Sequence, residues 1–440
     1  MSVSISLQRP PELSALHARF PDRWPFLLES TSRGGPLGRW SLALRVDPDH
    51  APLVASPGQG TDFLHRFEAQ WQQARLVQPA RLPFEGGWFV YLGYEMAAAI
   101  EPTLKLPVPD DALPTAFARR CSAALLIDHA LDAVHLVAEH DELLECARAE
   151  IAACLDEQCP GPVLAPGRLD AGDGASFMRG VERIHDYILA GDVFQVNLSR
   201  PWQFRPEQEP NAVDVYRLLS ARNPAPFAGL ARMPGGTVLS SSPERLFRAD
   251  DRRVEVRPIA GTRPRGRDRA EDRRLREELL ANAKERAEHL MLVDLERNDL
   301  GRICEAGSIR ASELMIIESY AHVHHIVSNI IGRARPGTTP VDLIRAIFPG
   351  GTITGCPKVR CMEIIAELES AGRGLYTGSM GYLGLDGRMD LNILIRSMGV
   401  DARGVHFRTG AGIVADSDPA AELEETVAKA RGLMQALGHA

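Results

Sequence analysis

The chain has 440 residues, 45% hydrophobic and 25% charged, which excludes disorder, collagen-like repeats and coiled-coil rods as its main content and suggests one large or two intertwined domains. Its 50 Lys and Arg against 58 Asp and Glu leave a net charge of −8, a surface that repels phosphate backbones and argues against nucleic acid as a main ligand. No apolar stretch approaches the ~18–20 residues of a membrane span, and the N-terminus lacks a basic start followed by an apolar run, so neither membrane insertion nor a signal peptide is expected.

In chain order, residues 41–46 (SLALRV) and 88–94 (WFVYLGY) read as strands. From Asp141 to Leu155 the apolar residues Leu143, Leu144, Ile151 and Leu155 have helical spacing. Residues 157–176 are rich in Pro and Gly without apolar period and read as a loop. This gives a plan of an N-terminal region 1–160, a loop 161–176 and a region 177–440, with the N-terminal region expected to join the same fold. Residues 271–298 read as one helix. Residues 378–385 and 388–400, joined at Asp386-Gly387, carry a hairpin signature, and 405–414 follow a short turn. The last helix starts with Asp418 as N-cap and Pro419 in the first position. Leu423, Val427, Ala430, Met434 and Leu437 form its expected buried stripe, and Glu422, Glu425 and Lys429 lie on another face, either solvated or aimed at a site.

The seven cysteines (Cys121, Cys146, Cys154, Cys159, Cys304, Cys356, Cys361) lack a disulfide framework or zinc spacing and fit a reduced cytoplasm. Two Glu-x-x-Glu pairs, Glu285/Glu288 and Glu422/Glu425, each put both carboxylates on one helix face. Brought together they would offer oxygens to a hard ion such as Mg²⁺, although spacing alone favours solvated pairs. The run FPGGTITGCPK (348–358) fails the phosphate-loop pattern, because Cys356 and Pro357 separate Gly355 from Lys358. It leaves open a tight turn whose N–H groups approach an anion. In HVHHIVS, His322, His324 and His325 lack metalloprotease spacing, and a structural His is the default. The Arg-dense segment 263–277 is interleaved with acids and reads as a solvated or salt-bridged stretch.

Taken in order, SSSPERLF, RPIAGTRPRG, KERAEHLMLVDLERNDLGRI, HHIVS, FPGGTITGCPKVRCMEII, YTGSMGYL, ILIRS and GAGIVADSDPAAELEET resemble the chorismate-utilising enzymes over roughly residues 178–437. This family includes anthranilate synthase component I, aminodeoxychorismate synthase component I, isochorismate synthase and salicylate synthase. The resemblance overturns the solvated reading of the Glu pairs. It implies an α/β (α+β) fold of packed β-sheets flanked by helices, with the active site between the sheets. It also implies a cytoplasmic enzyme acting on chorismate with Mg²⁺, and ammonia delivered by a separate glutamine amidotransferase subunit.

Residue by residue, the resemblance makes Glu288 and Glu425 direct metal ligands, with Glu285 and Glu422 holding metal-bound waters or orienting them. Glu244 resembles the general acid that protonates the departing C4 hydroxyl, a role that requires a raised pKa. His325 matches the active-site His and Thr262 a residue near the ring. Arg396, Tyr376, Lys429 and the backbone of Gly410, Ala411 and Gly412 match groups that hold the substrate carboxylates. Water-using relatives carry a Lys base where this chain has Gln195, which disfavours isochorismate and salicylate formation. The remaining motifs look most like aminodeoxychorismate synthase component I, which aminates chorismate at C4 for 4-aminobenzoate and folate synthesis. Two features point instead to anthranilate synthase component I. Ala260 stands where many aminodeoxychorismate synthases carry a Lys proposed as a covalent nucleophile, and LLES with Ser30 resembles a tryptophan-binding motif. A catalytically silent tryptophan-binding regulatory subunit is the third reading.

Overall fold

The computed structural model describes residues 2–32, 37–155, 160–319 and 323–439. His322 and Cys159 lie outside the described residues, as does part of the expected loop. The architecture follows from one long strand, Ala116–Asp128. Its first half pairs with Leu53–Ala55 and Gly87–Leu92, and its second half with Trp40–Val46 and Ala133–Ala138. From this shared strand two antiparallel sheets spread.

The first sheet runs outward through Trp40–Val46, Phe26–Glu29, Phe227–Met233, Gly236–Ser242, Ser397–Asp401, Gly404–Ile413 and Gln195–Pro206. The second runs through Gly87–Leu92, Ser379–Gly384, Met389–Asn392, Arg245–Asp250 and Arg253–Val256 to Val323–Arg333 and Arg310–Ser319. Ile259–Pro264 pairs with the same strand Val323–Arg333. In both sheets the strands from before the expected loop lie next to Ala116–Asp128, and those from after it continue the sheet outward, joined at the pairings of Phe26–Glu29 with Phe227–Met233 and of Gly87–Leu92 with Ser379–Gly384.

One apolar cluster draws on both sheets, among them Phe26, Leu42, Phe89, Tyr91, Phe117, Val238 and Met380. Phe26 and Phe89 stack with centroids 3.9 Å apart. Two further clusters cover the outer faces. Helices Gly60–Ala74, Ala283–Gly301 and Pro340–Ile347 close one, through residues such as Phe67, Val293 and Ile344. Helices Leu13–Arg19, Asp141–Ala152, Ala212–Arg222 and Pro419–Ala436 close the other, through Leu16, Ala147, Leu219 and Leu433. The α/β architecture of packed sheets flanked by helices is thus as expected. No helix of the described residues is long and apolar enough to cross a membrane.

Several local expectations need correction. The Pro/Gly-rich stretch is not loop throughout: Gly167–Ala171 is a strand on the edge of Gln195–Pro206, and a helix opens at Gly174. The helix expected over 271–298 is two, Arg269–Ala281 and Ala283–Gly301, because Asn282 is extended (φ −67°, ψ 110°) and caps the second with its side chain. The strand expected over 388–400 is interrupted at residues 393–396. The last helix starts as expected, with the Asp418 side chain accepting from Ala421 N–H. Its buried line, however, runs through Thr426, Ala430, Leu433 and Leu437, while Val427 is 38% exposed.

Candidate active site

The two interruptions that carry the chain from one sheet to the other lie side by side. Ser242 to Arg245 crosses from the first sheet to the second, and Asn392 to Ser397 crosses back. They are stitched by Ile393 N–H to Glu244 O (3.0 Å), Ser241 N–H to Arg396 O (3.2 Å) and Ser242 Oγ to Ile393 O (2.6 Å). Glu244 and Arg396 are therefore fixed at the seam. Arg396 holds φ +52° and Thr377 φ +60°, sparsely populated backbone for side-chain-bearing residues that gathers at functional sites.

Glu244 is 5% exposed, and its Oε1 accepts from Thr352 Oγ at 2.8 Å. Burial pushes its pKa up to about 7, with the Thr352 hydrogen bond and the charge of Lys429 acting against the rise. Such a carboxyl is half protonated at neutral pH, as a general acid there requires.

Thr262 and His325 face each other across paired strands, and Thr262 Oγ lies 2.9 Å from His325 Nδ1. Burial and the Arg396 charge push His325 down to about 4, so its imidazole is neutral at pH 7. Ala260 stands on the same strand, opposite Ile326. His324 is a structural residue: fully buried, it meets Asp272 at 3.0 Å and Ser319 at 2.8 Å.

On the first sheet, Gly410–Gly412 pair with Asn197–Ser199. A Cβ at Gly410 would lie 2.8 Å from Tyr376 Oη and 2.5 Å from Leu198 O, so only glycine lets the strand and the tyrosine approach so closely. Gln195 reaches Gly412, where a Cβ would meet its Nε2 at 2.5 Å. Its Oε1 is buried without a hydrogen-bond partner among the described residues. Lys429 donates to Gly410 O at 3.0 Å and pairs with Glu425 at 2.7 Å. Arg396 is held near Tyr376 and Glu425, whose charges favour its cation while burial opposes it. Burial pushes Tyr376 up to about 12.

The two Glu pairs lie near the N-termini of two helices, and Glu288 and Glu422, one from each pair, come near enough for their charges to interact. Glu285 and Glu288 open Ala283–Gly301, and Glu422 and Glu425 lie near the start of Pro419–Ala436, where the helix dipole favours negative charge. Lys284 joins the helices, pairing with Asp416 at 2.8 Å and approaching Glu288 at 3.9 Å. Glu288 and Glu422 are each pushed up by burial and then by neighbouring carboxylates, Glu422 being among those that raise Glu288. Carboxylate oxygens that repel one another are the donor set a hard dication accepts. As the side chains stand, Glu285 turns to Arg263 (3.0 Å) and Glu425 to Lys429. Among the described residues no group of three or more potential ligands closes on a metal position.

The structure adds residues that motif reading did not single out. Thr352 lay inside FPGGTITGCPK, which was read only for anion-binding N–H groups. The Gly351 N–H does meet a carboxyl, that of Glu296. Beneath the Tyr376 segment, Glu369 accepts from Arg373, Arg408 and Ser199. Ser30 donates to Pro226 O at 2.9 Å and lines a cavity of about 350 Å³ with Glu29, Trp40, Arg245, Met380 and Asn392.

Comparison with known proteins shows the family. The family model described as chorismate binding enzyme matches residues 39–435. The chain belongs to that family, and is thereby an enzyme acting on chorismate. Among its relatives, an anthranilate synthase component I-like protein of Synechocystis is 42% identical over 93% of this chain and 86% of its own length. Anthranilate synthase component 1 of Thermus thermophilus is 42% identical over 94% and 92%. Among solved structures, anthranilate synthase component I of Streptococcus pneumoniae superposes with a TM-score of 0.79 at 31% identity, covering 91% of this chain and 92% of that one. The Escherichia coli menaquinone-specific isochorismate synthase, at 20% identity and a TM-score of 0.77 over 99% and 94%, shares the fold. The relatives thus favour anthranilate synthase over aminodeoxychorismate synthase, the member that the motifs had put first.

Proposed function

We propose that the chain is an anthranilate synthase component I: it aminates chorismate at C2 and releases anthranilate. The observation that carries this reading is Ala260, which lies on the site strand two residues from Thr262 and offers no amine for a covalent relay to C4. The 37–50% identity to proteins named anthranilate synthase component 1 supports it, as does the cavity beside Ser30, which would take tryptophan as a feedback ligand.

Glu288 and Glu425 would hold Mg²⁺, helped by Glu285 and Glu422; the ion would withdraw electron density from the ring through its carboxylate. Arg396, Tyr376, Lys429 and the Gly410–Gly412 backbone bind and orient the substrate carboxylates. Ammonia forms the bond to C2, the two ring double bonds each shift by one position and the C4–O bond breaks. Glu244 gives its proton to the leaving oxygen, which departs as water, and the new ammonium loses a proton. Neutral His325 is placed to accept the C2 proton as the C3–O bond breaks and the side chain leaves as enolpyruvate, which takes up a proton to become pyruvate. Ammonia would come from a glutamine amidotransferase subunit.

A second reading, aminodeoxychorismate synthase component I, is favoured by FQVNLSR, PGGTITG and YTGSMGYL, whose Gln195, Thr352 and Tyr376 all lie at the site. Product identification decides between them. The protein is incubated with chorismate, ammonium at alkaline pH and Mg²⁺. Fluorescent anthranilate is the expected product. A product that aminodeoxychorismate lyase converts to 4-aminobenzoate would overturn the C2 assignment and establish the second reading. Removal of Mg²⁺ with a chelator is expected to abolish turnover, with recovery on adding it back.

A further inference from the structure

Two buried side-chain amides lie at the site without a task in the proposed reaction. Gln195 and Asn197 stand two residues apart on strand Gln195–Pro206 and so project from one face. Asn197 is opposite Gly412, and Ser199 opposite Gly410, so this is the face on which those glycines leave room. The Asn197 N–H donates to Thr354 O at 2.9 Å, on the far edge of the strand. Asn197 and Gly412 are therefore the closer, non-hydrogen-bonded kind of cross-strand pair. The Gln195 side chain also reaches Gly412, its Nε2 lying 2.5 Å from where a Cβ would stand. Both amides thus gather over one glycine. The Asn197 backbone is held on a further side, its carbonyl accepting from Arg373 at 2.6 Å.

Gln195 is 8% and Asn197 9% exposed, yet Gln195 Oε1 and Asn197 Oδ1 have no hydrogen-bond partner among the described residues. A buried acceptor left bare is costly and calls for a donor. The nearby cations are engaged elsewhere: Arg373 and Arg408 with Glu369, and Lys429 with Gly410 O and Glu425. Chorismate offers a single donor, the C4 hydroxyl, which the mechanism turns to Glu244; its carboxylates only accept. The remaining source of donors is the second substrate.

Ammonia reacts through its one lone pair, so the protein can grip it only by its N–H bonds. An amide oxygen accepts such a bond and takes no proton. A carboxylate in that place would favour ammonium, which has no lone pair, and a Lys would cover the lone pair with its own N–H. As the C–N bond forms the nitrogen becomes positive, and hydrogen bonds from it strengthen in the transition state.

We propose that Asn197, with Gln195 beside it, seats the ammonia molecule: the amide oxygens accept its N–H bonds and turn its lone pair toward the ring carbon under attack. The assignment rests on the reading that ammonia is the nucleophile. The nitrogen lone pair makes the C–N bond, the ring electrons release the C4 oxygen with the Glu244 proton as water, and the new ammonium gives a proton to solvent.

The test compares wild type, Asn197→Leu and Asn197→Ser at a fixed alkaline pH with Mg²⁺ and no amidotransferase. Rates are measured against ammonium at saturating chorismate, and chorismate binding is measured by calorimetry without ammonium. Asn197→Leu removes the acceptor and keeps water out. Its kcat/KM for ammonia should fall about 10–100-fold, with Kd for chorismate within about threefold of wild type. Asn197→Ser keeps an acceptor oxygen and should lose less. If Leu prevents folding, Ser decides alone, by a loss of more than about threefold confined to ammonia. An ammonia kcat/KM within about threefold of wild type in the folded variant, or a chorismate Kd weakened in the same proportion, would overturn the role of Asn197. A wild type that forms no ammonia-dependent product would instead overturn the reading beneath it.

Discussion

In the proposed mechanism Glu244 surrenders a proton at neutral pH, and burial keeps its carboxyl from ionising early while one hydroxyl tempers the effect. The sign of each perturbation can be tested. The Thr352 hydrogen bond favours the carboxylate, so Thr352→Val should raise the pKa of Glu244 and carry the alkaline limb of kcat to higher pH. A limb moved to lower pH would refute that assignment. Glu244→Gln should cost about 10²–10⁴-fold in kcat with a small change in KM. At this scale the sequence singled out Glu244, His325, Thr262 and Arg396 as candidates, because each lies in a short motif whose order is diagnostic. It did not reveal Thr352, because its role arises from a contact across 108 positions of chain. Residue identity along the chain carries no sign of such a pairing.

Among elements, the legible features were those encoded locally. Asp418 and Pro419 announced the last helix, and Asp386-Gly387 announced the hairpin, since caps and turns depend on a few adjacent residues. The buried face of that helix was misread for a tertiary reason. Thr426 turns inward and satisfies its hydroxyl on Leu423 O at 2.7 Å, so a polar residue takes a place that an apolar stripe would have given to Val427. The Glu369–Arg373–Arg408 cluster was equally invisible. It ties the turn before Ser379–Gly384 to strands Gln195–Pro206 and Gly404–Ile413, through Arg373 to Asn197 O at 2.6 Å and Arg408 to Ser199 Oγ at 3.0 Å. Glu369 is about 2% exposed at its side chain, so Glu369→Ala would leave two buried guanidinium groups without their anion. A loss of about 3–5 kcal/mol in denaturant unfolding is expected. A loss under 1 kcal/mol would show that the cluster is not a structural tie. Gly410→Ala should raise KM for chorismate by displacing Tyr376, and an unchanged KM would argue against that contact as a determinant of binding.

Across the whole molecule, buried acids give stability a pH dependence. Glu95 accepts from the N–H groups of Arg373 (2.7 Å) and Gly374 (3.3 Å), yet burial still pushes it up to about 7. A carboxyl whose folded pKa lies above its unfolded value contributes fully below the unfolded value, near 4.5. The contribution is lost as pH rises through about 7. Glu95→Gln should therefore be more stable than the wild type at pH 8.5, by on the order of 2 kcal/mol, with the advantage gone at pH 4.5. A gain that is the same at both pH values would refute the ionisation argument.

Strand Ala116–Asp128 takes part in both sheets, and on either side of it strands from the N-terminal stretch are followed outward by strands from the C-terminal stretch. The two stretches are thus joined by one strand pairing in each sheet, and a break in the covalent path between them need not part the pieces. A single protease cut within residues 160–166 should leave two fragments that co-elute, retain the melting transition and separate only in denaturant. Each fragment expressed alone would expose half of every shared sheet and should aggregate. Expressed together they should complement each other and restore turnover.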